Sequence, residues 1–163
     1  MVEIGYYKNG NVEYEIPFLN DKKHGVAKWY RESGELERKT PYINGKVHGL
    51  DVWYYENGNI EYETPFVNGK IHGVKKGYYE NGNLKCEIPL KNDKKHGVEK
   101  GYYENGNLEY EAPFVNGLMQ GCVKEYDENG NLIKEILYEN GELVTLNIWL
   151  GVTAENQIKE LEW

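Results

Sequence analysis

Four histidines, His24, His48, His72 and His96, are all that the chain contains, and they stand 24 residues apart. Imidazoles at a fixed spacing raise the prospect of a zinc site, since zinc takes its ligands largely from His and Cys. Nitrogens bound to one zinc lie about 3–4 Å from each other, whereas equivalent side chains in successive two-stranded units would be about 10 Å apart. One ion cannot span that gap. The histidines therefore read as turn residues whose rings pack or hydrogen-bond locally, and Gln120 keeps the same spacing with the same capacity. Cys86 and Cys122 would lie three strands, or about 14 Å, apart in a meander, beyond the Cα separation of about 7 Å that a disulfide tolerates. They read as free thiols. Carboxylate pairs such as Glu13 and Glu15, Glu61 and Glu63, or Glu109 and Glu111 could serve general acid–base chemistry. Catalysis needs one enclosed place with differently tuned groups, and these pairs recur beside lysines, so they read as a solvated, salt-bridged face. Ser33 is the only serine, and no nucleophile-elbow, zinc-protease or phosphate-loop pattern occurs. The chain reads as a non-enzyme without metal or cofactor.

The elements that must position these residues follow from a repeat. Gly10, Gly34, Gly58, Gly82, Gly106 and Gly130 recur every 24 residues, as do Tyr6, Tyr30, Tyr54, Tyr78, Tyr102 and Tyr126, and Pro17, Pro41, Pro65, Pro89 and Pro113. One unit is copied about six times without insertion. Within it, Asn57-Gly58 between Tyr-rich segments predicts a two-residue type I′ hairpin turn. Asn68-Gly69 followed by His72-Gly73 predicts a longer loop after Pro65, whose missing amide limits the ladder. Each unit thus gives two antiparallel strands. The fold class is all-β, an elongated single-layer antiparallel meander of about 12 strands, with a thirteenth at Leu143 to Trp149.

Two registers compete. A three-residue loop with a Gly bulge sets Lys28 against Arg38 and Lys124 against Lys134, and like charges directly opposite are unfavourable. A two-residue loop instead sets Lys76 against Glu87, Lys100 against Glu111, Lys124 against Glu135 and Glu125 against Lys134. The second register is preferred. It places Val12, Tyr14, Ile16 and Phe18 and their counterparts on an aromatic face, with Trp29 and Trp53 where later units have Gly77 and Gly101. Its other face carries the Glu pairs, the lysines and the Tyr54-type residue. The array covers residues 1–142. Residues 143–163 depart from the beat and read as a capping strand followed by a short helix from Thr153 through Leu161.

Composition narrows the function. Lys plus Arg is 19 against 27 Asp plus Glu, a formal charge of −8 that opposes binding to a phosphate backbone or an anionic membrane by bulk attraction. No apolar run approaches a membrane span, and an acidic chain with two Cys and no signal peptide is expected in the cytoplasm.

Tyr62-Glu63-Thr64-Pro65-Phe66-Val67-Asn68-Gly69-Lys70-Ile71-His72-Gly73 resembles a MORN repeat, and Tyr-Tyr-Glu-Asn-Gly-Asn-Leu at 78–84 and 102–108 is more closely similar to the bacterial MORN-variant repeats. The resemblance implies a hairpin-repeat sheet used for contacts with proteins or lipids, and some bacterial relatives carry an antitoxin-like label. The resulting expectation is a non-enzymatic scaffold for protein–protein interaction, its partner another protein or a second copy in a homodimer. The contact area expected is the aromatic face or an exposed sheet edge, and the contact residues expected on that face are Tyr14, Trp29, Trp53, Tyr62 and Tyr110, with Phe18, Phe66 and Phe114 at its margin. The rival is a glycan- or cell-wall-binding repeat using the Tyr and Trp rows. Lipid binding ranks third, and nucleic acid is disfavoured.

Overall fold

The computed structural model of the chain describes residues 1–148. They form one open antiparallel sheet in which each long strand pairs with the long strands before and after it in the chain, and each two-residue strand pairs only with the long strand it follows, with β1 (Val2–Tyr6) and β18 (Glu142–Ile148) at its two edges. A unit is exemplified by β7 (Gly49–Tyr54), β8 (Ile60–Val67) and β9 (Lys70–Ile71), after which β10 (Gly73–Tyr78) begins the next. The expected 13 strands become 18 because five incoming strands are split at His24, His48, His72, His96 and Gln120. The split faces a proline: His72 N–H donates to Pro65 O at 3.0 Å, while Pro65 has no amide to return. Gly73, at φ +124°, stacks on the Pro65 ring, and a Cβ there would lie 2.9 Å from Pro65 Cγ.

The two Asn-Gly turns exchange roles relative to expectation. Asn68 and Gly69 both take positive φ, 53° and 83°, and Val67 pairs directly with Lys70, which is the two-residue type I′ geometry. Asn44-Gly45, Asn116-Gly117 and Asn140-Gly141 repeat it, as do Asn20-Asp21 and Asn92-Asp93. At Asn57-Gly58 only Gly58 has positive φ; Gly58 N–H donates to Tyr55 O and Tyr55 N–H to Asn59 O, a three-residue loop closed by glycine. Asn57 is held out of the left-handed region by its own side chain, whose Oδ1 accepts the Asn59 N–H at 2.9 Å.

That loop alone would impose the rejected register. A bulge between Trp53 and Tyr54, repeated one residue before each equivalent Tyr, shifts the pairing by one. Lys76 then faces Glu87, Lys100 faces Glu111, Lys124 faces Glu135 and Glu125 faces Lys134. The preferred register is the observed one, reached through the loop of the other. It still opposes Lys28 to Lys39. Lys28 turns to Glu15 at 3.3 Å and Lys39 lies 5.4 Å over the Tyr54 ring.

The most buried side chains run across the sheet on the aromatic face: Ile16, Ala27, Thr40, Asp51, Thr64, Glu99, Ala112, Phe114, Val123 and Ile136. Leu143 to Ile148 extend the sheet as β18, pairing with Leu132–Glu139 (β17). The helix expected from Thr153 lies outside the described residues.

Candidate interaction faces

On the aromatic face one row of side chains crosses the strands: Tyr14, Trp29, Arg38, Trp53 and Tyr62, each directly opposite the next. Arg38 is stacked between two indoles, 5.3 Å from Trp29 and 4.5 Å from Trp53. Its Nε donates to Asp51 Oδ1 at 2.9 Å, and Asp51, only 3% exposed, also accepts from Trp53 Nε1 and the Thr40 hydroxyl. A carboxylate this deep needs such a full set of donors. Glu99 holds the same place two units later, accepting from Lys95 and the Tyr110 hydroxyl. Lys95 in turn lies 4.7 Å over Phe114, and Lys75 lies 4.8 Å over Tyr62. Cations thus roof many of the rings, which removes hydrophobic area from water while keeping charge at the surface.

Glycines decide where the tyrosine rings lie. Tyr14, Tyr62 and Tyr110 each face a glycine on one side, Gly5, Gly77 and Gly101. The ring folds down onto it: a Cβ at Gly5 or Gly101 would overlap the facing tyrosine, and one at Gly77 would lie 3.2 Å from Tyr62 Cε1. This covers backbone that glycine leaves bare. Cys86 faces a glycine on both sides, Gly77 and Gly101, and burial pushes its thiol pKa up.

Of the expected contact residues, Tyr14, Phe18, Trp29, Trp53, Tyr62, Phe66 and Tyr110 are half-buried on this face. Phe114 departs from the expectation. It is 8% exposed, packed with Ala112, Val123 and Ile136 against Tyr110, Met119 and Tyr138, so it belongs to the core.

The reverse face carries the expected charges. Four of the Tyr54-type hydroxyls donate to a carboxylate of the preceding unit, Tyr30 to Glu15, Tyr78 to Glu63, Tyr102 to Glu87 and Tyr126 to Glu111, whereas Tyr54 itself meets Lys39, which lies over its ring. Lys76 pairs with Glu87 at 3.7 Å and Lys124 with Glu111 at 3.6 Å. It also carries something the sequence reading missed. Val26, Leu50, Val74 and Val98 sit directly opposite Pro41, Pro65, Pro89 and Pro113, and Cys122 opposite Leu137, in one apolar row. Val26, Leu50, Val74, Val98 and Leu137 are each more than 40% exposed, as are Leu19, Ile43, Val67 and Val115 beside them. The signal was present as Val2, Val26, Leu50, Val74, Val98 and Cys122 on the 24-residue beat.

Side chains at the hairpin tips join unit to unit. Tyr55 Oη donates to Tyr78 O at 2.8 Å, and both Asn57 and Asn59 donate Nδ2 to Glu80 O at 2.9 Å. Tyr79 and Tyr103 repeat the first bond, and Arg31 replaces the phenol with a bond to Tyr54 O. At the opposite edge His48 Nδ1 accepts the Asn68 N–H at 3.4 Å, His96 accepts that of Asn116 at 3.5 Å, and Gln120 Oε1 accepts that of Asn140 at 2.9 Å. His48 and His96 therefore brace the next turn, while His24 Nδ1 is buried without a hydrogen-bond partner, and among the described residues no group of three or more metal-ligating side chains converges. Cys86 and Cys122 are free and lie on opposite faces.

Several phenols carry raised pKa values from these contacts. Burial and then Glu63 push Tyr78 up to about 12, and burial and then Glu99 do the same to Tyr110. The folded state holds these protons more tightly than the unfolded chain, where tyrosine titrates near 10. Their contribution to stability is complete below about pH 10 and is lost as pH rises toward about 12. Phenolate absorbance at 295 nm is expected to rise for these residues in one step with loss of the β-sheet circular dichroism. A gradual rise from pH 10 with the sheet intact would contradict the assigned contacts.

An open sheet of stacked hairpin units, braced through both long edges and with no enclosing second layer among the described residues, defines a β-repeat scaffold. The chain belongs to the MORN repeat family: the pattern described as MORN repeat variant matches residues 1–20, 23–44, 47–68, 71–92, 95–116 and 119–140. A search of curated proteins finds no match to the chain. Among the described residues no helix is long and apolar enough to cross a membrane.

Proposed function

We propose that the array is a non-enzymatic scaffold that docks another protein, with the aromatic face as contact area. The observation that carries this reading is the row Tyr14, Trp29, Arg38, Trp53 and Tyr62, half-buried in the free chain. Trp, Tyr and Arg are the residue types that dominate protein interfaces, and here they are held rigid by stacking before any partner arrives. Pre-ordering of this kind lowers the entropic cost of association. A glycan would need the ring faces for stacking, and Arg38 and Lys75 already occupy faces of Trp29, Trp53 and Tyr62; the rival reading is weaker for that reason.

The experiment is affinity capture from the native lysate with identification by mass spectrometry, followed by titration of the purified partner. Trp53→Ala with Tyr62→Ala is expected to weaken binding by about a hundredfold, in line with loss of two interface anchors. Glu61→Ala with Glu63→Ala on the reverse face is expected to change it by less than about threefold. Equal effects would remove the face assignment, and sedimentation of the protein alone reports whether the partner is a second copy.

A further inference from the structure

The reverse face places an apolar band beside a row of cations. Leu19, Ile43 and Val67 are paired directly with Lys22, Lys46 and Lys70, and Lys91 with Lys94, in the short strands that follow each type I′ turn. All four paired lysines, Lys22, Lys46, Lys70 and Lys94, are exposed, and none takes part in the ion pairs of the described residues. The turns are stacked in register: Gly45 N–H donates to Lys23 O and Gly69 N–H to Val47 O, both at 2.8 Å. Next inward comes the half-exposed row of Val26, Leu50, Val74 and Val98 with their facing prolines. Beyond that row the Lys and Glu ladder begins, in which Lys28, Lys76 and Lys124 are already paired with carboxylates. The band is thus bordered by unpaired positive charge on one flank and by largely neutralised charge on the other.

We infer that this band is a second docking surface, and that it takes an amphipathic α-helix of a partner protein carrying carboxylates along one flank. Period and charge select that occupant. Equivalent residues of successive units are about 10 Å apart, two strand spacings, and seven residues of α-helix rise about 10.5 Å. A helix lying across the strands therefore presents an acidic residue to each of Lys22, Lys46, Lys70 and Lys94 when Asp or Glu recurs every seven positions, and its apolar stripe then falls on the valine and proline row. The small mismatch over four units is within the reach of a lysine side chain. Leu118 and Glu142 stand where the fifth and sixth units would have lysine, so the helix is oriented over the first four. The surface is independent of the aromatic face and stands or falls separately from it.

The test is selection of a displayed library of amphipathic helical peptides against the full chain, followed by titration of the selected peptides. Enriched peptides are expected to carry Asp or Glu at seven-residue intervals beside an apolar stripe. Their affinity is expected to fall by about tenfold or more in the Lys22→Glu, Lys46→Glu, Lys70→Glu, Lys94→Glu variant, and to fall with added salt. Exposed turn lysines can be reversed without loss of the sheet, which far-ultraviolet circular dichroism verifies. Trp53→Ala with Tyr62→Ala is expected to leave these peptides bound. No enrichment, carboxylates without the seven-residue interval, or affinity unchanged by the lysine reversals would overturn the inference. So would binding lost only in the Trp53 and Tyr62 variant, which would instead support the aromatic face. Lysine-dependent binding seen only to vesicles of phosphatidylserine and phosphatidylcholine would overturn it in favour of a lipid surface.

Discussion

Asp51→Ala lowers the unfolding free energy by about 2–4 kcal/mol, below the range for a fully buried ion pair because the Arg38 side chain is 30% exposed, with unpaired donors at Thr40 and Trp53 adding to the loss. Asp51 is 3% exposed and is the common acceptor for Arg38, Trp53 and the fully buried Thr40 hydroxyl. Its loss leaves three donors without a partner at once, and the Arg38 cation keeps only the faces of Trp29 and Trp53. Urea unfolding followed by tryptophan fluorescence measures the change. Arg38→Met alone is also strongly destabilising, because the carboxylate is then buried with only neutral donors. Arg38→Met combined with Asp51→Val costs less than the sum of the single changes, since no uncompensated charge remains. Additive losses would show that the two groups act separately and that the stacked row is held by packing alone.

Where this network sits was only half legible in the chain. The 24-residue beat and the alternation within strands placed Tyr14, Trp29, Trp53 and Tyr62 on one face, and the structure puts them there. Nothing local identified Arg38 as a member. It takes the place held by Tyr62 in the next unit and Cys86 in the one after, and it is drawn in by Asp51, 13 residues away. Phe114 was misjudged for a related reason. A ring at the margin of one strand looks exposed until Met119 from the short strand after it and Lys95 from the short strand before its hairpin cover it.

The turns show a second limit. Asn57-Gly58 and Asn68-Gly69 are the same dipeptide, yet only the latter forms the type I′ turn. What separates them is the use of the asparagine side chain. Asn57 spends its carbonyl on Asn59 and its amide on the next unit's Glu80, whereas Asn68 leaves its turn to be braced by backbone bonds and His48 from the preceding unit. The Asn57–Asn59 bond is local, but the others join residues 20 to 23 positions apart, about one repeat length, so no reading of a single unit contains them. The register survived the error because the bulge before each Tyr compensates the extra loop residue. Opposite charges at Lys76 and Glu87, and Glu125 and Lys134, selected the right pairing although the loop that leads into it was assigned wrongly.

The glycine and tyrosine pairs extend the same logic to a second large effect. Gly101→Val is expected to destabilise the sheet by about 1–3 kcal/mol, the range for overpacking a filled site. The backbone of Gly101 is not in the left-handed region, and valine favours strands, so propensity by itself predicts a gain. The loss comes from the Tyr110 ring, which lies where the new Cβ would be. Lifting that ring breaks its bond to Glu99 and opens the cluster of Ala112, Phe114, Val123 and Ile136 beneath it. The cause is tested in a Tyr110→Ala background, where the same Gly101→Val change becomes neutral or stabilising because no ring needs the space. A coupling of at least about 1 kcal/mol in the double-mutant cycle is the expected result. Additive effects would mean that glycine is required there by the backbone, and that the tyrosine merely rests upon it.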